Sequence, residues 1–146
     1  MNLDTKADEL PSPRRTLPEG LQLLRQLNHG AGNYQMRKAT SLLGFVKDGY
    51  WLCRFAHDSA LAGVLEPAKH PTSMNWDQVV EYLRTPQVLE DNDLEPGTMG
   101  PHLALLEIAA SLAVGHPVDL CRAALVLPAR EWREILERLE SAADFL

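Results

Sequence analysis

Apolar residues recur at helical spacing along most of the chain and predict a series of α-helices. Leu17, Leu21 and Leu24 share one helical face, and Thr16 and Glu19 form a capping box at the start of this helix. Four further segments show apolar residues at helical spacing: 36–46, 76–83, 101–114 and 128–143. The segment 101–114 is apolar on nearly all sides, so we expect it at the centre of the fold.

The segment 41–55 allows two interpretations. In the first, the second helix runs to Val46, Gly49 stops it, and 50–55 is a short extended piece. In the second, 42–46 and 50–55 are strands joined by Lys47-Asp48-Gly49, because Asp-Gly between apolar runs is typical of a β-hairpin. The first run does not alternate in polarity, so we favour the helix and keep the hairpin as the alternative.

The remaining segments are punctuated by caps, prolines and glycines. Asp58 is placed to cap a short helix over 59–65, and Asn75 and Asp119 are placed to cap the helices that follow them. Pro71 and Ser73 are assigned to a loop. Residues 86–100 carry four acids and no base among prolines and glycines, which predicts an acidic internal loop.

Together these segments predict a mainly α fold, a small bundle of about five to six helices with at most one short hairpin near 42–55. The length of 146 residues suits one domain, 16–146, preceded by a flexible tail over 1–15. The chain is 45% hydrophobic, and none of its apolar runs approaches the roughly 18 residues that a membrane-spanning helix needs.

Charge and cysteine content restrict the partners and the compartment. The formal net charge of −6 disfavours nucleic acid and anionic lipid as partners. The opening residues lack the apolar core of a secretory signal, and Cys53 and Cys121 do not form a disulfide framework. We therefore expect a cytoplasmic protein with no membrane partner.

The motifs for common site chemistry are missing from the sequence. Cys53 and His57 are four residues apart, but the apolar neighbours of Cys53 are expected to raise the pKa of its thiol. Zinc-type ligand pairs and a phosphate-binding glycine loop are absent from the sequence. We predict no catalytic, cofactor-binding or metal-binding residues and no cofactor. An enzyme whose site is assembled from residues distant in sequence remains an alternative. A pocket joining Cys53, His57 and a carboxylate would favour it.

The strongest candidate for a partner-binding cluster is formed by Tyr50, Trp51 and Arg54, because Tyr, Trp and Arg are enriched at interface anchors. The amphipathic C-terminal helix could also pack against a partner, but a place in the core of its own domain is favoured. The alternative function is nucleic-acid binding by the segment 34–56, which has a net charge of +3. That alternative requires four bases to share one face with an exposed Trp51: Arg37, Lys38, Lys47 and Arg54.

The segment 106–120, Leu-Glu-Ile-Ala-Ala-Ser-Leu-Ala-Val-Gly-His-Pro-Val-Asp-Leu, resembles one in small uncharacterised helical proteins of high-GC bacteria. The resemblance covers about 40 residues at the C-terminus. It implies a helix, a turn and two more helices, and it implies no function. From the residues themselves we expect a non-catalytic cytoplasmic protein that is regulatory or binds another protein, or itself.

Overall fold

The computed structural model describes residues 17–28 and 32–140. The predicted tail over 1–15, Thr16 of the capping box and the end of the predicted last helix lie outside these residues. The described elements form the mainly α fold that the sequence predicts. In chain order they are α1 (Glu19–Asn28), α2 (Tyr34–Phe45), α3 (Tyr50–His57), β1 (Leu65–Glu66), β2 (Ser73–Met74), α4 (Trp76–Arg84), α5 (Met99–Val114), α6 (Leu120–Val126) and α7 (Ala129–Glu140).

Helix α5 lies at the centre of the core, as its apolar composition predicts. Leu105, Leu106 and Ala109 have no exposed surface, and the main packing partner of α5 is α2. From α2, Leu42 and Leu43 are also fully buried. The other helices pack around this pair, so the side chains of α2 and α5 have little room to move.

The turn between α2 and α3 is made by consecutive residues in the left-handed region. Lys47, Asp48 and Gly49 have φ of 56°, 58° and 71°. The predicted helix over 36–46 is thus confirmed, and the alternative hairpin over 42–55 is wrong, because both flanks of the Asp-Gly turn are helical. The extended interpretation of 50–55 is also wrong: Trp51, Leu52 and Phe55 form the buried face of α3.

Close approach of α1 explains why this turn needs a glycine. A Cβ on Gly49 would lie 2.7 Å from the Cα of Gly20. The backbone of α1 therefore contacts the turn directly, and a larger residue at Gly49 would separate them.

The two short strands lie in a segment that the sequence assigned to a short helix and a loop. Leu65 pairs with Met74 and Glu66 with Ser73 in an antiparallel ladder. The helix predicted over 59–65 is only a 3-10 turn, Ser59–Leu61, although Asp58 caps it as expected, accepting from the Ala60 amide at 2.9 Å. The strands are too short for alternation of apolar residues to reveal them.

The other helix boundaries follow the caps. Asn75 accepts from the Gln78 amide at 3.1 Å and Asp119 from the Arg122 amide at 3.1 Å, so both predicted caps are confirmed. The acidic loop contains a 3-10 turn, Pro86–Leu89, and α5 begins two residues before Pro101.

Candidate functional site

The predicted partner-binding cluster lies inside the fold. Trp51 has no exposed surface, and its indole N–H donates to the backbone oxygen of His102 at 2.7 Å. A side chain in this position cannot act as a surface anchor. Trp51 lies on the buried face of α3 with Phe55, and the two rings stack, so the tryptophan that the sequence suggested for an interface packs inside the domain.

Arg54 holds the acidic loop rather than a partner. Its side chain is 9% exposed, and its guanidinium donates to the backbone oxygens of Val88 at 3.3 Å and Glu90 at 3.1 Å, and to that of Leu89. It also donates to Asp58 at 3.1 Å. These bonds satisfy carbonyl groups at the end of the 3-10 turn, a structural use of the five donors of an arginine.

Tyr50 completes this internal network. Its hydroxyl donates to Oδ2 of Asp91 at 2.6 Å, and its ring stacks on His102 with centroids 3.9 Å apart. Burial, and then the hydrogen bond to Asp91, raise the pKa of Tyr50. The same hydrogen bond lowers the pKa of Asp91. The tyrosine therefore stays protonated and serves as a donor.

The four bases of the nucleic-acid alternative do not share an exposed face with Trp51. Lys38 is 3% exposed and its ammonium lies 5.6 Å from the centroid of the Tyr34 ring. Lys47 is paired with Glu131 at 3.3 Å, and Arg54 holds the acidic loop. Arg37 is half-buried. The arrangement on which this alternative depends is therefore not formed.

Cys53 and His57 do meet a carboxylate, which comes from Glu19 of α1. Glu19 contacts Nε2 of His57, and its negative charge lies near the thiol of Cys53. Burial, and then the charge of Glu19, raise the pKa of Cys53 to about 11. The carboxylate thus favours the thiol over the thiolate, the reverse of what a cysteine nucleophile requires. The sequence marks Glu19 only as a capping residue, so this contact across helices could not be predicted.

The C-terminal helices carry exposed apolar side chains in segments that the sequence assigned mainly to the core. Seven large hydrophobic side chains of the described residues are exposed, and six of them lie between Val114 and Leu139. Leu125 is 82% exposed and Leu136 50%. In α7 only Ile135 is buried, whereas Trp132 is half-buried against the core. Leu136 and Leu139 are neighbours on α7, three residues apart, so this helix carries an exposed apolar edge that a partner could cover.

A second candidate is a charged cleft between the α2–α3 turn and the start of α7. Its volume is about 280 Å³, and its lining combines acidic and basic side chains with His102. His102 is 7% exposed. Burial, and then the positive charge of Lys47, lower the pKa of His102 to about 4. The imidazole is therefore neutral at pH 7.

Comparison with known proteins adds no assignment to either candidate: no family model, no curated protein and no solved structure matches the chain. The resemblance of segment 106–120 to small bacterial proteins therefore stays a prediction. Within 17–28 and 32–140, no helix is long and apolar enough to cross a membrane.

Proposed function

We propose that the chain is a non-catalytic interaction protein and that the surface formed by Leu136, Leu139 and their neighbours on α7 binds a second copy of the same chain. Leu136 is 50% exposed and Leu139 37%, and these two neighbours on one helix carry this proposal. The free thiols of Cys53 and Cys121 are consistent with a reducing compartment, so we propose that the protein acts in the cytoplasm.

Helix α7 shows which way this surface faces. Three residues turn towards the fold: Ile135 is 1% exposed, Glu131 pairs with Lys47, and Arg138 lies 4.3 Å from the centroid of the Phe45 ring. At about 100° per residue, Leu136 points away from this side and Leu139 lies at its edge. Leu136 and Leu139 thus form an exposed apolar edge of α7. Charged residues flank this edge on the side that faces solvent.

The charged flank is self-complementary. In α7, Arg133 and Glu140 lie close to Leu136 around the helix circumference, on the same side of it, because they are separated by about two helical turns. A two-fold axis places the same surface of both copies in contact. If this axis passes by Leu136, the two α7 helices are antiparallel. Arg133 of one copy then lies opposite Glu140 of the other, with an offset along the helix axis of one residue's rise.

The same axis aligns the apolar side chains. Leu136 meets Leu136 of the second copy at the centre. On the flank turned towards the fold, Trp132 of one copy lies level with Leu139 of the other, again within one residue's rise. A partner with the same α7 sequence thus matches the apolar edge and the charged flank together, which favours self-association over an unrelated partner.

Sedimentation velocity over a concentration series tests this proposal. A contact made mainly by a helix of 12 residues is small, so we expect dissociation constants of roughly 10–500 μM for the parent chain. Leu136→Glu buries a charge at the centre and should leave the chain monomeric. Tyr34→Glu, the same kind of change at an exposed residue outside the surface, should leave association unchanged.

A charge-exchange experiment tests the register. Arg133→Glu and Glu140→Arg each create two like-charge contacts per dimer, and each variant alone should associate roughly tenfold more weakly. When the two variants are mixed, every contact again joins opposite charges, so association should return. A parent chain that stays monomeric contradicts the choice of partner, whereas association without recovery on mixing contradicts only the register.

A further inference from the structure

A groove lies between the acidic loop, residues 86–100, and the first turns of α5. Its volume is about 510 Å³, within the range of ligand-binding clefts. The proposed function does not use it. Half of the ten residues that line the groove are apolar: Pro86, Leu94, Pro96, Met99 and Leu103.

The floor of the groove is formed by three half-buried apolar side chains. Met99 and Leu103 pack against the hydrophobic core and also line the groove. Leu94, from the acidic loop, lines the groove without belonging to the core cluster. Covering such side chains releases the water that contacts them. The flexible thioether of Met99 can also adapt to the shape of what covers it. The floor is therefore suited to receive an apolar side chain.

The rim of the groove carries negative charge that the fold does not neutralise. Glu90 and Glu95 are exposed and line the groove. Among the described residues, neither carboxylate forms an ion pair. The acidic loop itself contains four acids and no base. A rim of this kind attracts basic side chains and repels acidic ones.

The loop that carries the rim is held in place by the rest of the fold. The Arg54 guanidinium, itself nearly buried, donates to the backbone oxygen of Glu90 at 3.1 Å. The Thr98 hydroxyl donates to the backbone oxygen of Glu95 at 2.7 Å. Because the backbone is fixed at both glutamates, less conformational entropy is lost when a partner binds them.

We propose that this groove binds an extended peptide segment of a partner protein, in which an apolar residue is flanked by lysines or arginines. The apolar side chain covers Leu94, Met99 and Leu103. The flanking bases pair with Glu90 and Glu95. Charge complementarity selects this occupant, because an acidic segment is repelled by the rim and a neutral one leaves both carboxylates without a counter-charge.

Titration of the full chain with synthetic pentapeptides, blocked at both ends, tests the proposal. The readout is the methyl resonance of Met99, assigned by its loss in Met99→Leu. Lys-Arg-Leu-Lys-Arg should shift it with a dissociation constant of roughly 10–500 μM, as expected for a contact of a few side chains. Lys-Arg-Ser-Lys-Arg should bind at least about fivefold more weakly, because it lacks the apolar side chain. Glu-Glu-Leu-Glu-Glu should not shift the resonance.

Paired glutamate variants separate the groove from general charge attraction. Glu90→Gln combined with Glu95→Gln should weaken binding of the leucine peptide by roughly tenfold, because two ion pairs are lost. Glu66→Gln combined with Glu137→Gln removes the same charge at exposed glutamates outside the lining. This control should change the affinity by less than about twofold, since distant exposed charges are screened.

A second matched pair tests the floor. Leu94→Ser should weaken binding by at least about fivefold, because it removes apolar surface from the groove. The fold should persist, since Leu94 does not belong to the core cluster. Leu125→Ser is the same change at a residue that is 82% exposed on α6, outside the groove, and should leave the affinity unchanged.

The basic residues Arg14 and Arg15, which lie outside the described residues, offer a competing occupant within the chain itself. Arg14→Gln combined with Arg15→Gln should leave the affinity for the leucine peptide unchanged. A gain of more than about tenfold would show that the chain's own segment competes for the groove, and it would overturn the choice of a partner protein.

Three further results would overturn the proposal. They are the absence of any shift of the Met99 methyl group at about 1 mM peptide, equal affinities of the leucine and serine peptides, and equal effects of the two glutamate pairs. The titrations are repeated on Leu136→Glu, so failure of self-association and failure of peptide binding can be told apart.

Discussion

Lowering the pH from 7 to 5 is expected to destabilise the folded chain through His102. In the folded protein the pKa of His102 is about 4, because the ring is buried and Lys47 lies near it, against a reference value of 6.5. The unfolded chain therefore binds a proton at His102 in a range where the folded chain does not. The stability that comes from the neutral ring is fully present above pH 6.5 and is lost as the pH falls towards 4.

The magnitude follows from the two pKa values. A difference of one unit corresponds to about 1.4 kcal/mol, so the complete loss is roughly 3 kcal/mol once the pH is below 4. At pH 5 most of the unfolded chain and little of the folded chain is protonated at His102, and the loss relative to pH 7 is about 2 kcal/mol. Asp91 and Glu131 act in the opposite direction, since their charges favour the protonated ring.

Urea unfolding at pH 7 and pH 5 measures this loss. His102→Phe keeps a ring against Tyr50 but cannot titrate, so its free energy of unfolding should change by about 2 kcal/mol less than that of the parent between the two pH values. His70→Asn, at an exposed histidine, should lose as much as the parent. Equal losses in the parent and His102→Phe would refute the assignment to His102.

Three further predictions concern the internal contacts. Arg54→Met removes the donors to the carbonyl groups of the acidic loop and should lower the free energy of unfolding by about 3 kcal/mol. Arg84→Met, at an exposed ion pair, should lower it by no more than about 1 kcal/mol. Equal losses of the two variants in urea unfolding would contradict the structural role of Arg54. Gly49→Ala should lower the free energy of unfolding by at least about 2 kcal/mol, because alanine is strained in the left-handed region and its Cβ would collide with Gly20. A thermal melt equal to that of the parent would contradict this contact. Cys53, whose pKa is about 11, should react with iodoacetamide at pH 8 more than tenfold more slowly than the exposed Cys121. Glu19→Gln should accelerate the reaction of Cys53. Equal rates for the two thiols would show that Cys53 is not protected.

The helices and their caps could be predicted because their causes lie within a few residues. Asn75 and Asp119 bond to amides three residues away, and the apolar face of α2 repeats within its own length. The strands β1 and β2 could not be predicted, since each is two residues long and pairs across a turn. Helix α3 was missed because its aromatic residues also have high propensity for strands.

The candidate sites depend on contacts between elements that are distant in sequence. The sequence singles out Tyr50, Trp51 and Arg54 by residue type, yet their partners are His102, Asp91 and the backbone of residues 88–90. Residue type indicates that a side chain can anchor a contact. Only the packing of α3 against α5 and the acidic loop decides that this contact is internal.

By itself, the sequence determined the mainly α fold, the central place of α5 and most helix ends, because periodicity, capping and turn preferences act over one or two helical turns. The tertiary structure alone decided which apolar residues remain exposed and which charged groups face a cleft. Burial at these positions depends on how distant helices pack: Ile135 and Leu136 are adjacent and both apolar, but α2 and the α2–α3 turn cover only the side of α7 that carries Ile135. The same packing brings Lys47, His102 and Glu131 together from three separate elements.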